Sequence, residues 1–452
     1  MNAITIVALI IFGLCYACIL AFQKFRPYVA LIAAAVFVAL GSFPSLTGLD
    51  YGILAALRAV DWNVLMMIFG TMGVVGLFIK SKAPEILADY VVSKTKSARL
   101  AIVALAILAG FVSAFVDNVA TVLMFAPVAF SLCEILSVSP VPVIISICIS
   151  SNLQGAATLV GDTTSILLSK AAGLDFADFF FDGGKPGMFW VVEAGALASA
   201  AVLFFAFRKE RSPVAVIKSK KIEDGFPAVL LVLMLVTLVA VSFIPYKDAS
   251  AGGIYKPEIT NGIVCMLFFA VGLARQARKS RRNFKCVVAQ TKISIDFYTL
   301  FLLAGLFAVI GGVEKAGVIN ELGKVFAKLG GGSGSVFLIY SAIVWGSVLF
   351  SAFIDNIPYT ATMLPVVASL AANLAPASGG LIDPKLFYYG LLCGATLGGN
   401  LSPVGASANI TGIGMLRKRG HAVSGLTFMK YSVPFTFAAV GVGYGLIWLI
   451  WS

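Results

Sequence analysis

The chain has 452 residues, of which 60% are hydrophobic and 12% are charged, and its formal net charge is +12. Soluble domains are about one half apolar and about one quarter charged, so this composition excludes an ordinary soluble protein. The positive charge does not indicate nucleic-acid binding, because the basic residues lie in loops beside apolar segments, as the positive-inside rule predicts. The sequence therefore predicts a polytopic membrane protein that has the lipid bilayer, and no nucleic acid, as a partner.

Apolar runs that are long enough to cross a bilayer recur along the whole chain. Because a β-barrel would show short alternating strands instead, the predicted fold class is all-α. The first run lacks a basic start and a clear small-residue cleavage site, so we interpret it as a span and not as a signal peptide. The predicted simple spans are 3–23, 28–46, 62–79, 187–207, 226–245, 259–274, 294–312 and 432–451.

Four further runs are interrupted by polar residues. The runs 99–136 and 335–373 are too long for one simple span and break at an Asp-Asn pair, which predicts two re-entrant hairpins with that pair at the tip. The runs 141–172 and 385–418 are predicted to be broken spans. The alternative exchanges hairpin and broken span within each half. Either way, each half contains five spans and one hairpin.

The two halves repeat the same motif. "SAFVDNVATVLMFAPV" at 113–128 aligns without gaps with "SAFIDNIPYTATMLPV" at 351–366. Upstream, Asp61 matches Asp296. An odd number of spans per half would insert the second copy upside down, which is the inverted-repeat arrangement of secondary transporters, with broken helices at the midplane. The predicted units are a first inverted repeat, a cytoplasmic linker and a second inverted repeat, at 1–208, 209–225 and 226–452.

Charge in the loops predicts the orientation in the plasma (inner) membrane. The basic loops 208–221 and 275–292 are separated by two spans and are predicted to be cytoplasmic. The acidic segment 174–185 is predicted to be external. Counting spans from these loops predicts that both termini lie outside.

The polar breaks should meet near the midplane, where unwound carbonyls and side-chain oxygens coordinate cations and half-helix N-termini hold anions. An intramembrane Asp costs about 2.5–3.5 kcal/mol on insertion scales, and such residues mark ion or proton pathways. We therefore predict that Asp117, Asp355 and Asp162 couple transport to H⁺ or Na⁺. Asn118 and Asn356 would complete Na⁺ sites at the two tips. Alternatively, each tip Asp caps the helix that follows it, and the two roles are compatible.

The remaining candidates for substrate or ion binding are hydroxyl, amide and glycine residues at the same breaks. Hard oxygen donors suit Na⁺ or a proton and not a soft metal, and no other cofactor is expected. Because no Lys or Arg lies within the breaks, a bare anion would need a co-bound cation or protonated carboxylates, whereas a neutral oxyacid such as arsenous or silicic acid would not. These candidates are Thr121, Ser151, Asn152, Thr158, Gly161, Thr163, Thr164, Ser165, Thr360, Asn400, Ser402, Gly405, Ser407 and Asn409.

The motifs at 113–128, 150–180, 351–367 and 394–431 resemble those of the ion transporter superfamily. Within it, the chain is similar to the group of ArsB-type arsenite efflux permeases, NhaD-type sodium/proton antiporters and the melanosomal P protein, which carry a citrate-transporter-like domain. The resemblance implies the two-repeat fold of the divalent anion/sodium symporters, a homodimer, and a transport domain that moves like an elevator.

Two departures from the resembled pattern concern the substrate. In the symporters a Ser-Asn-Thr motif at each tip binds Na⁺ and substrate carboxylates, whereas the matching triplets here, at 117–119 and 355–357, keep only the asparagine. The group shows Gly-Asp-Pro-Pro-Asn where residues 161–165 read "GDTTS". The first departure disfavours dicarboxylate recognition and favours coupling to a cation or proton. The second indicates a changed substrate.

The sequence therefore predicts a secondary active transporter for a small inorganic ion or an arsenite-like neutral oxyacid or oxyanion. It would be coupled to H⁺ or Na⁺ and would work by alternating access. A Na⁺/H⁺ antiporter is the main alternative, followed by a dicarboxylate or citrate symporter and a passive channel. A channel is disfavoured because the breaks carry no ring of like charges and no carbonyl filter repeat. An enzyme is not expected, since the spans contain no histidine-bearing catalytic cluster.

Overall fold

The computed structural model describes residues 2–210, 212–213, 224–244, 256–280, 295–319, 321, 335–374 and 383–452. Within these ranges the chain is almost entirely helical, which confirms the all-α prediction. The one pair of strands in them is a short hairpin, in which Phe181–Asp182 pairs antiparallel with Lys185–Pro186. Most of the predicted linker and the second part of the basic loop 275–292 lie outside the described residues.

The first half contains eleven described helices. The predicted spans all appear, and short helices that sequence reasoning did not anticipate lie between them at 44–47, 53–59 and 83–93. In chain order the helices are α1 (Ala3–Ala21), α2 (Arg26–Gly41), α3 (Pro44–Thr47), α4 (Ile53–Ala59), α5 (Trp62–Lys80), α6 (Ala83–Ser93), α7 (Ala98–Ser113), α8 (Asn118–Leu136), α9 (Pro140–Gly155), α10 (Thr163–Ala172) and α11 (Met188–Ala206).

The described part of the second half repeats this order for its principal helices. The helices are α12 (Phe226–Ser242), α13 (Thr260–Ser280), α14 (Phe297–Lys315), α15 (Val336–Ser351), α16 (Asn356–Leu374), α17 (Lys385–Gly398), α18 (Ser407–Lys418) and α19 (Gly425–Trp451).

Seven of the described helices are long and apolar enough to cross a membrane, namely α1, α5, α8, α11, α13, α14 and α19. The helices α2, α7, α9, α12 and α15 are also apolar but have 10–17 residues. Exposed large apolar side chains such as Leu14, Leu197 and Leu449 lie on their outer surfaces, where lipid would cover them. The chain is a multi-pass membrane protein. The number of crossings and the sides of the termini stay predictions.

Aspartates begin four of these helices. Asp61 accepts a hydrogen bond from the Val64 amide at the start of α5. Its counterpart Asp296 accepts one from the Thr299 amide at the start of α14. The hairpin residues Asp117 and Asp355 do the same at α8 and α16. Each carboxylate satisfies backbone N–H groups that a helix start leaves unpaired, so the capping role predicted for the two tip aspartates is present.

Several of the main helix contacts occur twice, and in each case the second contact uses the matching helices with the two halves exchanged. α5 packs against α13, and α14 packs against α2. In the same way, α7 packs against α9 and α15 against α17, while α10 contacts α16 and α18 contacts α8. Glycine permits the closest of these approaches, because a Cβ added at Gly70 would lie 2.5 Å from the carbonyl carbon of Cys265. A Cβ added at the matching Gly305 would lie 2.9 Å from that of Ala30.

Candidate functional site

All four predicted breaks are present between described helices. The hairpins turn between α7 and α8 and between α15 and α16, and both Asp-Asn pairs lie at the turn. The broken segments interrupt the chain between α9 and α10 and between α17 and α18. Contacts among α8, α9, α10, α16, α17 and α18 bring the four breaks together. The candidate site is therefore built from non-helical backbone that is buried in protein, the condition under which such backbone is tolerated at membrane depth.

The two broken segments pack against the hairpin tips in the same way. A Cβ added at Gly161 would lie 2.6 Å from the Gly155 oxygen, and one at Gly405 would lie 2.6 Å from the oxygens of Gly399 and Ser351. In addition, the Thr158 hydroxyl donates to the Ala114 carbonyl of the first tip. The matching Ser402 hydroxyl donates to the Ala352 carbonyl of the second tip. These candidates hold the backbone together, and none of them is among the lining residues of the cavity described below.

Four asparagine side chains form a buried network where the halves meet. Asn118 Nδ2 donates to Asn152 Oδ1 at 3.0 Å, and Asn152 Nδ2 donates to Asn400 Oδ1 at 3.1 Å. Asn400 Nδ2 in turn donates to the Ile149 carbonyl at 2.9 Å. Asn356 Nδ2 donates to Asp162 Oδ2 at 3.1 Å. Each of these asparagines is at most 4% exposed. The network therefore fixes both hairpin tips to both broken helices.

Hydroxyl groups extend this network. Ser151 Oγ donates to Asn118 O at 3.0 Å and links the first hairpin to α9. Thr164 Oγ1 donates to Asp162 Oδ2 at 3.0 Å and lies 2.9 Å from Thr396 Oγ1 of the other half. Thr396 was not among the predicted residues. It lies inside an apolar helical run, where a single threonine gives no signal in the sequence.

A cavity of about 480 Å³ lies beside this network. Residues of α5, including Met72 and Ile79, form an apolar wall. The opposite wall contains residues of both hairpin tips, the first broken segment and the starts of α14 and α18. Its polar lining residues are Asp117, Asn118, Asp162, Thr163, Asp296, Thr299, Asn356 and Ser407.

Three carboxylates line the cavity, and no Lys, Arg or His is among its described lining residues. Asp162 is only 2% exposed, so water provides little screening of its charge. Asp296 was not predicted to be a site residue. The signal that could have drawn attention to it is its match to Asp61, although Asp61 itself does not line the cavity. Asp296 also accepts a 2.6 Å hydrogen bond from the Thr299 hydroxyl.

Asp355 lies in a different environment from its counterpart Asp117. Arg26 Nη1 is 3.1 Å from Asp355 Oδ2, and both side chains are 6% exposed. The Ser407 hydroxyl donates to the same oxygen at 2.9 Å. Arg26 was missed because it begins α2, far from all four breaks in the sequence. A basic residue therefore reaches one hairpin tip, although none lies within the breaks.

The remaining predicted residues bind to nearby backbone or are enclosed. Thr121 Oγ1 donates to the Val116 carbonyl at 3.3 Å. Ser165 Oγ donates to the Gly155 carbonyl at 3.4 Å, whereas Asn409 Nδ2 donates to the carbonyls of Gly399 and Ser402 at 3.1 Å. Thr360 is fully buried, and its Oγ1 has no hydrogen-bond partner within the described ranges. None of the four lines the cavity.

Broken helices that converge on a polar, buried centre inside an apolar helical bundle define a membrane transporter. Comparison with protein families agrees with this class, because the family model described as "Citrate transporter" matches residues 7–389. The chain therefore belongs to the citrate transporter family. Relatives from Mycobacterium tuberculosis and Synechocystis are named as transporters and not as enzymes.

Three similar proteins illustrate this relationship. The uncharacterized transporter Rv2685 of Mycobacterium tuberculosis is 30% identical over 98% of both chains. The human P protein is 26% identical over 92% of this chain and 56% of its own length. Among solved structures, the YdaH transporter of Alcanivorax borkumensis has a TM-score of 0.62 at 13% identity and covers 95% of this chain and 97% of its own. The structural match supports the transporter fold.

Proposed function

We propose that the protein is a secondary active transporter for a small inorganic ion or a neutral oxyacid, coupled to H⁺ or Na⁺ and working by alternating access. The observation that carries this proposal is the cavity, which is lined by Asp117, Asp162 and Asp296. No basic residue is among its described lining residues. Carboxylates in a poorly solvated cavity require a proton or a cation to offset their charge. Movement of that proton or cation provides the coupling.

The coupling ion and the substrate would use different parts of the cavity lining. Asp117 and Asn118 at the first tip provide the oxygen donors that Na⁺ prefers, while Asp162 would carry a proton or share the cation. Asn356, Thr163 and Ser407 offer neutral hydrogen-bonding groups to a small oxyacid. A bare anion such as free citrate would be repelled by the three carboxylates, so an arsenite-like neutral acid is the favoured substrate class.

Na⁺/H⁺ antiport is the second candidate. The same three carboxylates could alternate between a proton and Na⁺ without any further substrate, because each cation would neutralise the same group. Both candidates share one coupling site, and they differ in whether an oxyacid must be present for the proton to move.

The proposed cycle includes an inward-facing state. The cavity wall contains Ile295, which lies beside the predicted cytoplasmic loop 275–292, and Ile79, which lies beside the basic residue Lys80. Ion pairs join segments that share a predicted external side, such as Lys256 with Asp175. In this proposal the protein resides in the plasma membrane with both termini outside. We further propose a homodimer with an elevator-like transport domain, as the resemblance implies.

Transport by the purified protein in proteoliposomes that contain a pH-sensitive dye tests both candidates. Na⁺ gradients are imposed first, and arsenite, silicate, chloride, sulfate and citrate are then added one at a time. Proton movement on addition of Na⁺ alone would identify an antiporter, and movement with a single oxyacid would identify the substrate. Asp117→Asn should abolish either signal, while Asp61→Asn, outside the cavity, serves as the matched control. Flux that neither saturates nor depends on an ion gradient would refute a carrier.

A further inference from the structure

Arg26 and Asp355 form an ion pair that joins α2 to the tip of the second hairpin. The guanidinium Nη1 lies 3.1 Å from Asp355 Oδ2, and Arg26 Nε donates to the Ile19 carbonyl at 3.3 Å. The two residues are 329 positions apart in the chain and are both buried. A buried ion pair forms only where hydrogen bonds and charge together offset desolvation. Both conditions hold at this contact.

The location of Arg26 is unfavourable for a cation without this partner. It is the first residue of α2, and the positive end of a helix dipole repels a basic side chain there. The carboxylate of Asp355 and the carbonyl at the end of α1 offset that repulsion. The position of the arginine is therefore explained by Asp355 and not by the local preferences of α2.

The other half has no basic residue at the matching position. The matching glycines Gly70 and Gly305 lie against Cys265 and Ala30, so Cys265 and Ala30 occupy matching positions. Counting four residues back from each gives Asn261 and Arg26 as a matching pair. Asn261 Nδ2 donates to Asp175 Oδ1 at 3.3 Å, a carboxylate outside the cavity. The two hairpin aspartates are thus equivalent in sequence but not in charge environment.

We infer that Arg26 is a tethered cation that occupies the place of a coupling ion at Asp355, so that the exchangeable coupling ion is confined to the cavity lined by Asp117, Asp162 and Asp296. This inference rests on the proposed function, and it reassigns Asp355 from ion exchange to a permanent pair. The number of coupling ions per cycle is then set by one arginine on α2. A transporter with two symmetric tips would otherwise provide two sites.

Several groups on other elements also act on Asp355. The Ser407 hydroxyl of α18 donates to it, and Tyr298 of α14 and Asp162 of the first broken segment interact with its charge. Asp296 adds a second negative charge near Tyr298. Arg26 is the one cation in contact with Asp355 within the described ranges. Without it, the negative charge of Asp162 would favour a bound cation at Asp355.

The test measures ion binding directly, through the unfolding temperature of purified protein in detergent. Wild type, Arg26→Gln and the double variant Arg26→Gln/Asp355→Asn are titrated with Na⁺ against choline at constant ionic strength, and separately with pH. Lys170→Gln is the matched control, since Lys170 lies 3.9 Å from Asp61 and is half exposed. Hill coefficients for Na⁺- or H⁺-dependent flux in proteoliposomes provide a second readout.

Arg26→Gln should acquire an additional ion-dependent stabilisation, and its Hill coefficient should rise from about 1 towards about 2, the number of available sites. The double variant and Lys170→Gln should keep the ion dependence of wild type. Loss of a merely structural ion pair would add a pH dependence alone, because the unpaired Asp355 would take up a proton, so the added Na⁺-dependent stabilisation and the higher Hill coefficient distinguish the two roles.

Two results would overturn the inference. The first is an Arg26→Gln protein whose stability depends on Na⁺ and pH in the same way as that of wild type. This includes the case in which the stability of neither protein depends on Na⁺ or pH. The second is a double variant that loses the wild-type ion dependence, which would make Asp355 an exchange site. Because the double variant leaves no unpaired buried charge, it decides the question even if Arg26→Gln alone does not fold. Absence of flux in wild type would refute the proposed function, whereas the stability titration would still test the role of Arg26.

Discussion

Asn152 and Asn400 occupy matching positions in the two halves of the chain, and the Nδ2 atom of Asn152 lies 3.1 Å from the Oδ1 atom of Asn400. Both side chains are fully buried, at 0% exposure. Each also bonds across to the other half, since Asn152 donates to the Thr396 carbonyl and Asn400 to the Ile149 carbonyl. The two asparagines therefore link the halves where the four breaks meet, and substitutions there should affect stability before they affect ion binding.

Asn152→Ala should lower the free energy of unfolding by about 1–3 kcal/mol, because it leaves buried donors and acceptors of Asn118 and Asn400 without partners. Thr237→Ala is the control, since that hydroxyl bonds to the Leu233 carbonyl of its own helix on an exposed surface. Thermal unfolding in detergent measures both. Equal unfolding temperatures for the two variants would contradict a structural role for the network.

Asp117→Asn should insert and fold like wild type while losing coupled transport. Asparagine keeps the helix cap at α8, because its side-chain oxygen still accepts the amide hydrogen bonds of Val119 and Ala120. The substitution removes the charge that holds the coupling ion. Flux in proteoliposomes is the measurement, with size-exclusion chromatography as the check on folding. Coupled transport at the wild-type rate would eliminate Asp117 as the coupling carboxylate.

Asp296→Asn should weaken cation binding without abolishing it. A neighbouring charge about 10 Å away at an effective dielectric constant near 20 contributes about 1.5 kcal/mol, which corresponds to a roughly tenfold weaker affinity. Na⁺ or H⁺ dependence of flux gives the apparent affinity. Asp61→Asn changes the matching residue outside the cavity and should leave that affinity as it is. If both variants shift it equally, the effect does not arise from the cavity.

Gly161→Ala should destabilise the protein by about 1–3 kcal/mol, because the new methyl group would overlap the carbonyls of Ser113 and Ala114 at the first hairpin tip and that of Gly155 at the end of α9. Gly405→Ala should behave alike in the other half. Gly346 in α15 has nothing within 4 Å of an added Cβ, so Gly346→Ala should be neutral or slightly stabilising. Unfolding temperatures decide this prediction, and it fails if Gly346→Ala is the most destabilised of the three.

The contact of Asp224 with α13 predicts acid sensitivity outside the membrane. Arg275 Nη1 and Lys279 Nζ lie 2.7 and 2.9 Å from Asp224 Oδ2. Hydrogen bonds from Arg275 and then Lys279 hold the pKa of Asp224 below its usual range, although partial burial opposes them. Because the folded-state pKa is lowered, the stabilisation is complete above the unfolded-state pKa of about 3.9 and is lost as pH falls towards the folded value.

Asp224→Asn should therefore cost about 1–2 kcal/mol at neutral pH and little at the acid limit. Unfolding temperatures of the variant and of wild type between pH 7 and pH 3 test this difference. Glu85→Gln, on helix α6, is a comparison variant at another carboxylate. If the difference in unfolding temperature between wild type and Asp224→Asn stays constant with pH, the ion pair contributes no pH-dependent stability.

The helices and breaks could be predicted because they follow from local chemistry. Runs of apolar residues set the helix positions, and Asp-Asn pairs or glycine-rich stretches mark the interruptions at 113–118 and 155–163. The short helix α6 was missed because its eleven residues are too few and too polar for a span. Candidate residues were chosen from the breaks alone, so all predicted binding groups came from the four interrupted segments.

The sequence alone determined the class of the molecule, its apolar helices, and the aspartates at the breaks, because hydrophobic length and helix capping depend on residues near one another in the chain. Only the tertiary structure decided which aspartates share a cavity and which one is neutralised. Asp296 joins Asp117 in the cavity, and Arg26 reaches Asp355, through helix packing between distant segments. The charge environment of a buried carboxylate depends on its neighbours in space, and matching residues in a repeated sequence can therefore differ in function.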